Sequence, residues 1–120
     1  MAKYMLILGG ADLDKRSADP EFRKVMLERY MGWVRSIEER GQFVSSSKLH
    51  DKVGARLTIR AGQVTDGPFV ETKEAVGGIL VVEVPTLEEA TAIGRKCPVL
   101  DLQNGYVEVR QVEEIPRPGR

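Results

Sequence analysis

Two short runs in this chain are apolar at consecutive positions: Tyr4-Met5-Leu6-Ile7-Leu8 near the start, and Ile79-Leu80-Val81-Val82 about two-thirds of the way along. Successive side chains of a strand point to opposite faces, so a strand apolar on both faces needs cover on both. That requirement places residues 3–9 and 78–84 in the middle of a sheet. Gly9-Gly10 ends the first run, and a polar loop over 11–18 follows.

Asp19 then offers a helix N-cap, with Pro20 at the first helical position and Glu21 behind it. Phe22, Met26, Tyr30, Trp33 and Ile37 recur at spacings of four, four, three and four, with Val25 and Val34 widening the stripe. The pattern predicts an amphipathic helix over 20–40, with Arg23, Lys24, Glu28, Arg35, Glu38 and Glu39 facing water and Gly41 closing its end. Phe43 to Leu49, heavy in serine, reads as an edge strand. Ala55, Leu57 and Ile59 alternate with Arg56, Thr58 and Arg60, and Ala61-Gly62-Gln63 turns the chain back into Val64-Thr65, a hairpin over 55–65. Thr86 and Glu89 form a capping box for a second helix carrying Leu87, Ala90, Ile93 and Gly94, which ends before Pro98. Residues 105–112 read as the last strand.

The order is β-α-β, hairpin, β-α-β. It predicts an α+β fold, a ferredoxin-like βαββαβ sandwich with an inserted β-hairpin. That topology puts its first and third core strands at the centre of the sheet, and these are the two doubly apolar runs. Both helices then cover one face. The other face is too apolar to stand in water and predicts a homodimer, sheet face against sheet face.

The length of 120 residues predicts one domain over 1–112, with 113–120 as a flexible polar tail. Eighteen basic residues balance eighteen acidic ones, which gives no electrostatic footprint for nucleic acid or for a membrane. The opening apolar run is too short for a signal peptide or a membrane span, and a single cysteine, Cys97, cannot form an intramolecular disulfide. These features predict a cytoplasmic protein.

The densest chemistry lies in Asp66-Gly67-Pro68-Phe69-Val70-Glu71-Thr72-Lys73-Glu74, followed by Gly77-Gly78. Gly67 permits backbone angles closed to other residues, and Pro68 fixes its own φ and biases Gly67 toward extended backbone. Asp66 can close a side-chain turn onto downstream amides. The segment reads as a shaped loop presenting Glu71, Lys73 and Glu74. The simpler reading is a turn with a solvated charged rim.

This segment resembles the signature of the DGPF-motif proteins, a branch of the YCII-related family. The resemblance extends from Lys3-Tyr4-Met5-Leu6-Ile7 through 66–74 and Gly77-Gly78 to Pro98 and Val107-Glu108-Val109-Arg110. It implies a dimeric α/β barrel with a cleft between the two sheets. In the wider family it also implies a His–Asp pair with the histidine near the start of the first helix. Residues 20–30 hold no histidine, so here that pair is absent or rebuilt.

His50, the one histidine, is a candidate general acid or base, with Asp66 and Glu71 as carboxylate partners. The plainer reading of His50 is an exposed loop residue. Arg56, Arg60, Gly67, Pro68, Phe69, Lys73 and Glu74 are candidate ligand-binding residues, the arginines by bidentate contact with an anion. The alternative is internal salt bridging that fixes the loop. Gly9-Gly10 lacks the continuation of a phosphate loop, and one histidine with one cysteine makes no zinc site. Asp66, Glu71 and Glu74 leave a labile Mg²⁺ site open, but no metal and no cofactor is expected. Cys97, before a proline at a helix end, reads as a small buried hydrophobe, and Trp33 as core. Two functions compete. One is a small-molecule site in a dimer cleft, with or without acid–base catalysis. The other is a non-catalytic accessory module of the kind the resemblance associates with alternative sigma factors.

Overall fold

The structure is a computed structural model, and it describes residues 1–10, 19–50, 53–67, 76–116 and 118. Its elements are β1 (Ala2–Gly9), α1 (Pro20–Glu39), β2 (Phe43–Lys48), β3 (Leu57–Arg60), β4 (Gln63–Asp66), β5 (Val76–Val84), α2 (Leu87–Arg95) and β6 (Tyr106–Gln111), with a 3-10 turn at Pro98–Asp101. The main sheet is antiparallel in the order β2-β5-β1-β6, and β3-β4 form a separate two-stranded ribbon. This is a ferredoxin-like strand order, and the two doubly apolar runs occupy its centre as expected. The serine-rich strand takes the edge, with an irregularity between Phe43 and Ser45.

Strand alternation divides the sheet cleanly. Tyr4, Leu6 and Leu8 of β1 and Leu80, Val82 and Val84 of β5 are buried, and the helices add Trp33, Ile37, Ala90 and Ile93 to the same core. The alternate positions, Met5, Ile7, Ile79 and Val81, are only half-buried and form the sheet's second face. Among the described residues both helices lie on the core side, and no helix covers this second, apolar face.

Local chemistry explains the helix limits. Asp19 accepts from the Glu21 amide at 3.0 Å, and Pro20 follows it as N1. At the other end Gly41 has φ +70°, its amide donates to the Glu38 carbonyl, and the Gln42 amide donates to the Ile37 carbonyl, a Schellman closure. In α2, Thr86 Oγ1 accepts from the Glu89 amide at 3.2 Å. The predicted stripe of α1 is less exposed than its surroundings at Phe22, Met26, Tyr30, Trp33, Val34 and Ile37. Val25 does not widen it, being 44 % exposed. It sits on the shoulder of the helix, beyond the reach of the sheet.

Two contacts lock the helices to the sheet and to each other. Trp33 Nε1 donates to the Ile93 carbonyl at 3.0 Å, joining α1 to the last turn of α2. Gly94 lets α2 lie close to β6, because a Cβ there would sit 3.2 Å from Val107 Cγ1 and 3.5 Å from Val109 Cγ2. Farther along α1, Arg29 forms an ion pair with Asp101 of the 3-10 turn.

The C-terminal stretch continues beside β1 for a short distance. The Val112 amide donates to the Lys3 carbonyl, and the Glu114 carboxylate lies 3.7 Å from Lys3 Nζ, an exposed pair of small energetic weight. Among the described residues no helix is long and apolar enough to cross a membrane.

Candidate functional site

Antiparallel register brings several separate segments to one rim of the main sheet. β1 leaves the sheet there, with Leu8 opposite Gly78, Gly9 opposite Val76, and Gly9 opposite Tyr106 on its other side. β2 leaves at the same rim, with Lys48 opposite Gly78 and the Leu49 amide donating to the Gly77 carbonyl at 3.0 Å. His50 therefore stands two residues beyond the end of β2, next to the Leu49 that bonds to the glycine pair following the 66–74 segment. The Cβ that Gly78 lacks would be 3.3 Å from the Ser47 carbonyl, so the strands meet tightly here.

The His50 side chain is exposed, and its Nδ1 accepts the Val53 amide at 3.1 Å. An accepting Nδ1 fixes the neutral ring as the tautomer with its proton on Nε2. In that form the imidazole offers a hydrogen-bond donor at Nε2, while the lone pair a general base would use at Nδ1 is committed to the backbone.

The other flank of the 66–74 segment is the base of the ribbon. Gly67 has φ +152°, a region open essentially to glycine, and its amide donates to the Arg56 carbonyl at 2.6 Å. Arg56, Asp66 and Gly67 thus sit together at one end of β3-β4. From Val53, which touches His50, the chain reaches Arg56 in three residues, a span of at most about 11 Å. Arg60 is separated from this group. It pairs with Gln63 beside the ribbon's turn, three residues along β3 from Leu57. Of the two candidate arginines, one stands at the base and one at the tip, because a strand rises about 3.4 Å per residue.

Asp66, Arg56 and Arg60 are exposed. Pro68, Phe69, Glu71, Lys73 and Glu74 lie outside the described residues, as does Asp51. Among the described residues no group of three His, Cys, Asp or Glu side chains is placed to hold a metal ion.

A cleft that the sequence did not announce lies on the helix side of the molecule. Its volume is about 210 Å³, and Trp33, Arg40, Gln42, Glu89, Ile93 and Lys96 are among the residues that line it. Arg40 and Lys96 are the C-cap residues of α1 and α2, where cations complement the carbonyl ends of the helices. Gln42 Oε1 is buried there and has no hydrogen-bond partner among the described residues. The signal in the sequence was the cation directly at each predicted helix end, which reads first as capping.

Cys97 is buried, and burial pushes its thiol up to about 11, with the Asp101 carboxylate adding to the rise and the Val99 backbone contact opposing it. A thiol held protonated is a poor nucleophile, which agrees with its reading as a core residue. Tyr30 is also raised, by burial first and then by the neighbouring Cys97.

The YCII-related domain family model matches residues 3–116, nearly the whole chain. No curated protein matches.

Proposed function

Because the chain belongs to the YCII-related family, we propose that it is a small-molecule-binding protein of the DGPF type, working as a homodimer closed through the open face of the main sheet. The ligand site is the sheet rim where His50, Gly9-Gly10, Gly77-Gly78 and the ribbon base at Arg56 and Gly67 approach one another. The observation that carries this reading is topological. Register alone gathers the ends of β1 and β2 and the starts of β5 and β6 at the rim that the 66–74 segment joins.

The chemistry of the described residues favours binding an anion. Arg56 supplies a permanent cation and Nε2 of His50 a donor, while the histidine lone pair needed for proton abstraction is engaged by Val53. Catalysis of an acid–base kind would draw its base from Asp66 or Glu71, with Lys73 and Glu74 shaping the site and Pro68 and Phe69 its apolar wall.

The test is a thermal-shift titration with inorganic phosphate and a set of small carboxylates, using the wild type, Arg56→Ala and His50→Ala. A ligand at about 100 times its Kd stabilises by about 2.7 kcal/mol, several degrees in a domain of this size. A shift in the wild type that is lost in both variants supports the rim as the site. Equal shifts in all three proteins place binding elsewhere. No shift with any anion returns the accessory-module reading, in which the molecule's exposed surfaces meet another protein.

A further inference from the structure

The β3-β4 ribbon has two unlike faces. Direct cross-strand partners share a face, so Leu57, Ile59 and Val64 lie on one side with Asp66 at its base, and Thr58, Thr65, Arg60 and Gln63 on the other. The polar side is internally bonded, with the Thr58 and Thr65 hydroxyls 2.9 Å apart. The other side is apolar except for Asp66 at its base, and it is exposed. Leu57 is 65 % exposed, Ile59 76 % and Val64 66 %. Among the described residues the ribbon pairs with no strand of the main sheet.

A two-stranded ribbon with a bare apolar face is marginal in water on its own, and three strands or a packing partner are needed to hold it. The same chain carries a second apolar surface that no described helix covers, the half-buried sheet face of Met5, Ile7, Ile79 and Val81. The ribbon does not cover that face within its own chain, since its apolar side chains stay exposed. We propose that β3-β4 is an arm whose apolar face packs against a second copy of this chain, along the flank of the sheet-to-sheet contact. The inference rests on the homodimer proposed above and adds to it the element that completes the interface.

The size of the interface argues for this occupant. Four strands spaced by about 4.8 Å, averaging about 25 Å long, give the open face a footprint of roughly 480 Å². A stable interface buries about 800 Å² per partner. The sheet face alone falls short, and an arm from each copy makes up part of the deficit. Two-fold symmetry doubles the contribution, because each arm meets the other subunit in the same way. A formal net charge of zero lets two copies approach without global repulsion.

Sedimentation equilibrium from about 1 to 100 µM tests the proposal, with the wild type, Leu57→Thr/Ile59→Thr on the apolar face, and Thr58→Ser on the polar face. Threonine keeps strand propensity while removing apolar area, and far-UV circular dichroism checks that each protein stays folded. The expected result is a wild-type dimer whose Kd weakens at least tenfold in the apolar-face variant and is unchanged by Thr58→Ser. A dimer with the same Kd in all three overturns the arm and leaves the sheet-face dimer standing. Equal weakening by Thr58→Ser overturns the assignment of the contact to the apolar face. A wild type that stays monomeric across the range overturns both the dimer and the arm.

Discussion

Ile37 and Ile59 are the same residue in opposite circumstances. Ile37 lies under α1 and is 3 % exposed, whereas Ile59 stands on β3 and is 76 % exposed. Both were chosen by an apolar periodicity, one of 3.6 and one of 2. The helix stripe meets a sheet already folded beside it in the same chain. Among the described residues the ribbon stripe stays largely exposed. An apolar pattern therefore states that a face wants cover, and the topology decides whether the chain supplies it.

The sharpest way to break this comparison is to truncate both. Ile37→Ala should cost about 2–5 kcal/mol through lost transfer energy and a residual cavity. Ile59→Ala should stay within about 0.5 kcal/mol in a monomer, as surface changes do. Urea unfolding at low protein concentration measures both. A large loss from Ile59→Ala under those conditions would show that the ribbon is packed within one chain. Gly94→Val is expected next, at about 1–3 kcal/mol, because its side chain enters space held by Val107 and Val109. The same measurement reads it.

Cys97 gives the body of the protein a pH dependence. The folded thiol keeps its proton to about pH 11, whereas an unfolded one releases it near 9.0. Between those values the unfolded chain binds fewer protons, so stability falls as pH rises through that window and is intact below it. The loss should be about 1–2 kcal/mol. Wild type and Cys97→Ala compared at pH 8 and pH 10.5 should show a steeper decline in the wild type. Parallel declines would mean the thiol is not held as described.

The smallest expected effect belongs to the ribbon. Ala61 has φ +53° and Gly62 φ +78°, both central residues of the turn lying in the left-handed region. Asparagine fits the first position better than alanine. Ala61→Asn should stabilise the ribbon by about 0.5–1 kcal/mol and lower the dimer Kd by a few-fold, with almost no effect on the melting temperature of the monomer.

Most of the fold was legible because its signals are local. The Asp19-Pro20 cap, the Gly41 closure and the Thr86 cap each act within four residues, and the two doubly apolar runs name the central strands without reference to any partner. Val25 was misjudged because periodicity cannot say how wide a stripe the sheet can reach. The candidate site was less legible. Its described parts come from four strand ends joined by register, and register is set by long-range pairing. The hairpin predicted over 55–65 already set Arg56 at its base and Arg60 beside its turn, but nothing in it says how that base lies against the sheet rim. The tautomer of His50 depended on the Val53 amide, a contact three residues away that no motif encodes.

The edge strand β2 has a consequence for handling the protein at high concentration. A strand bonded on one side offers its other side as a template for the next molecule, and that is how ordered fibres grow. β2 is six residues long, breaks register after Phe43, and follows Val44 with Ser45, Ser46, Ser47 and Lys48. A kinked, serine-rich and charged edge makes a poor template. Replacing Ser45 and Ser47 with valine would make a better strand, and with it a protein that seeds its own precipitation.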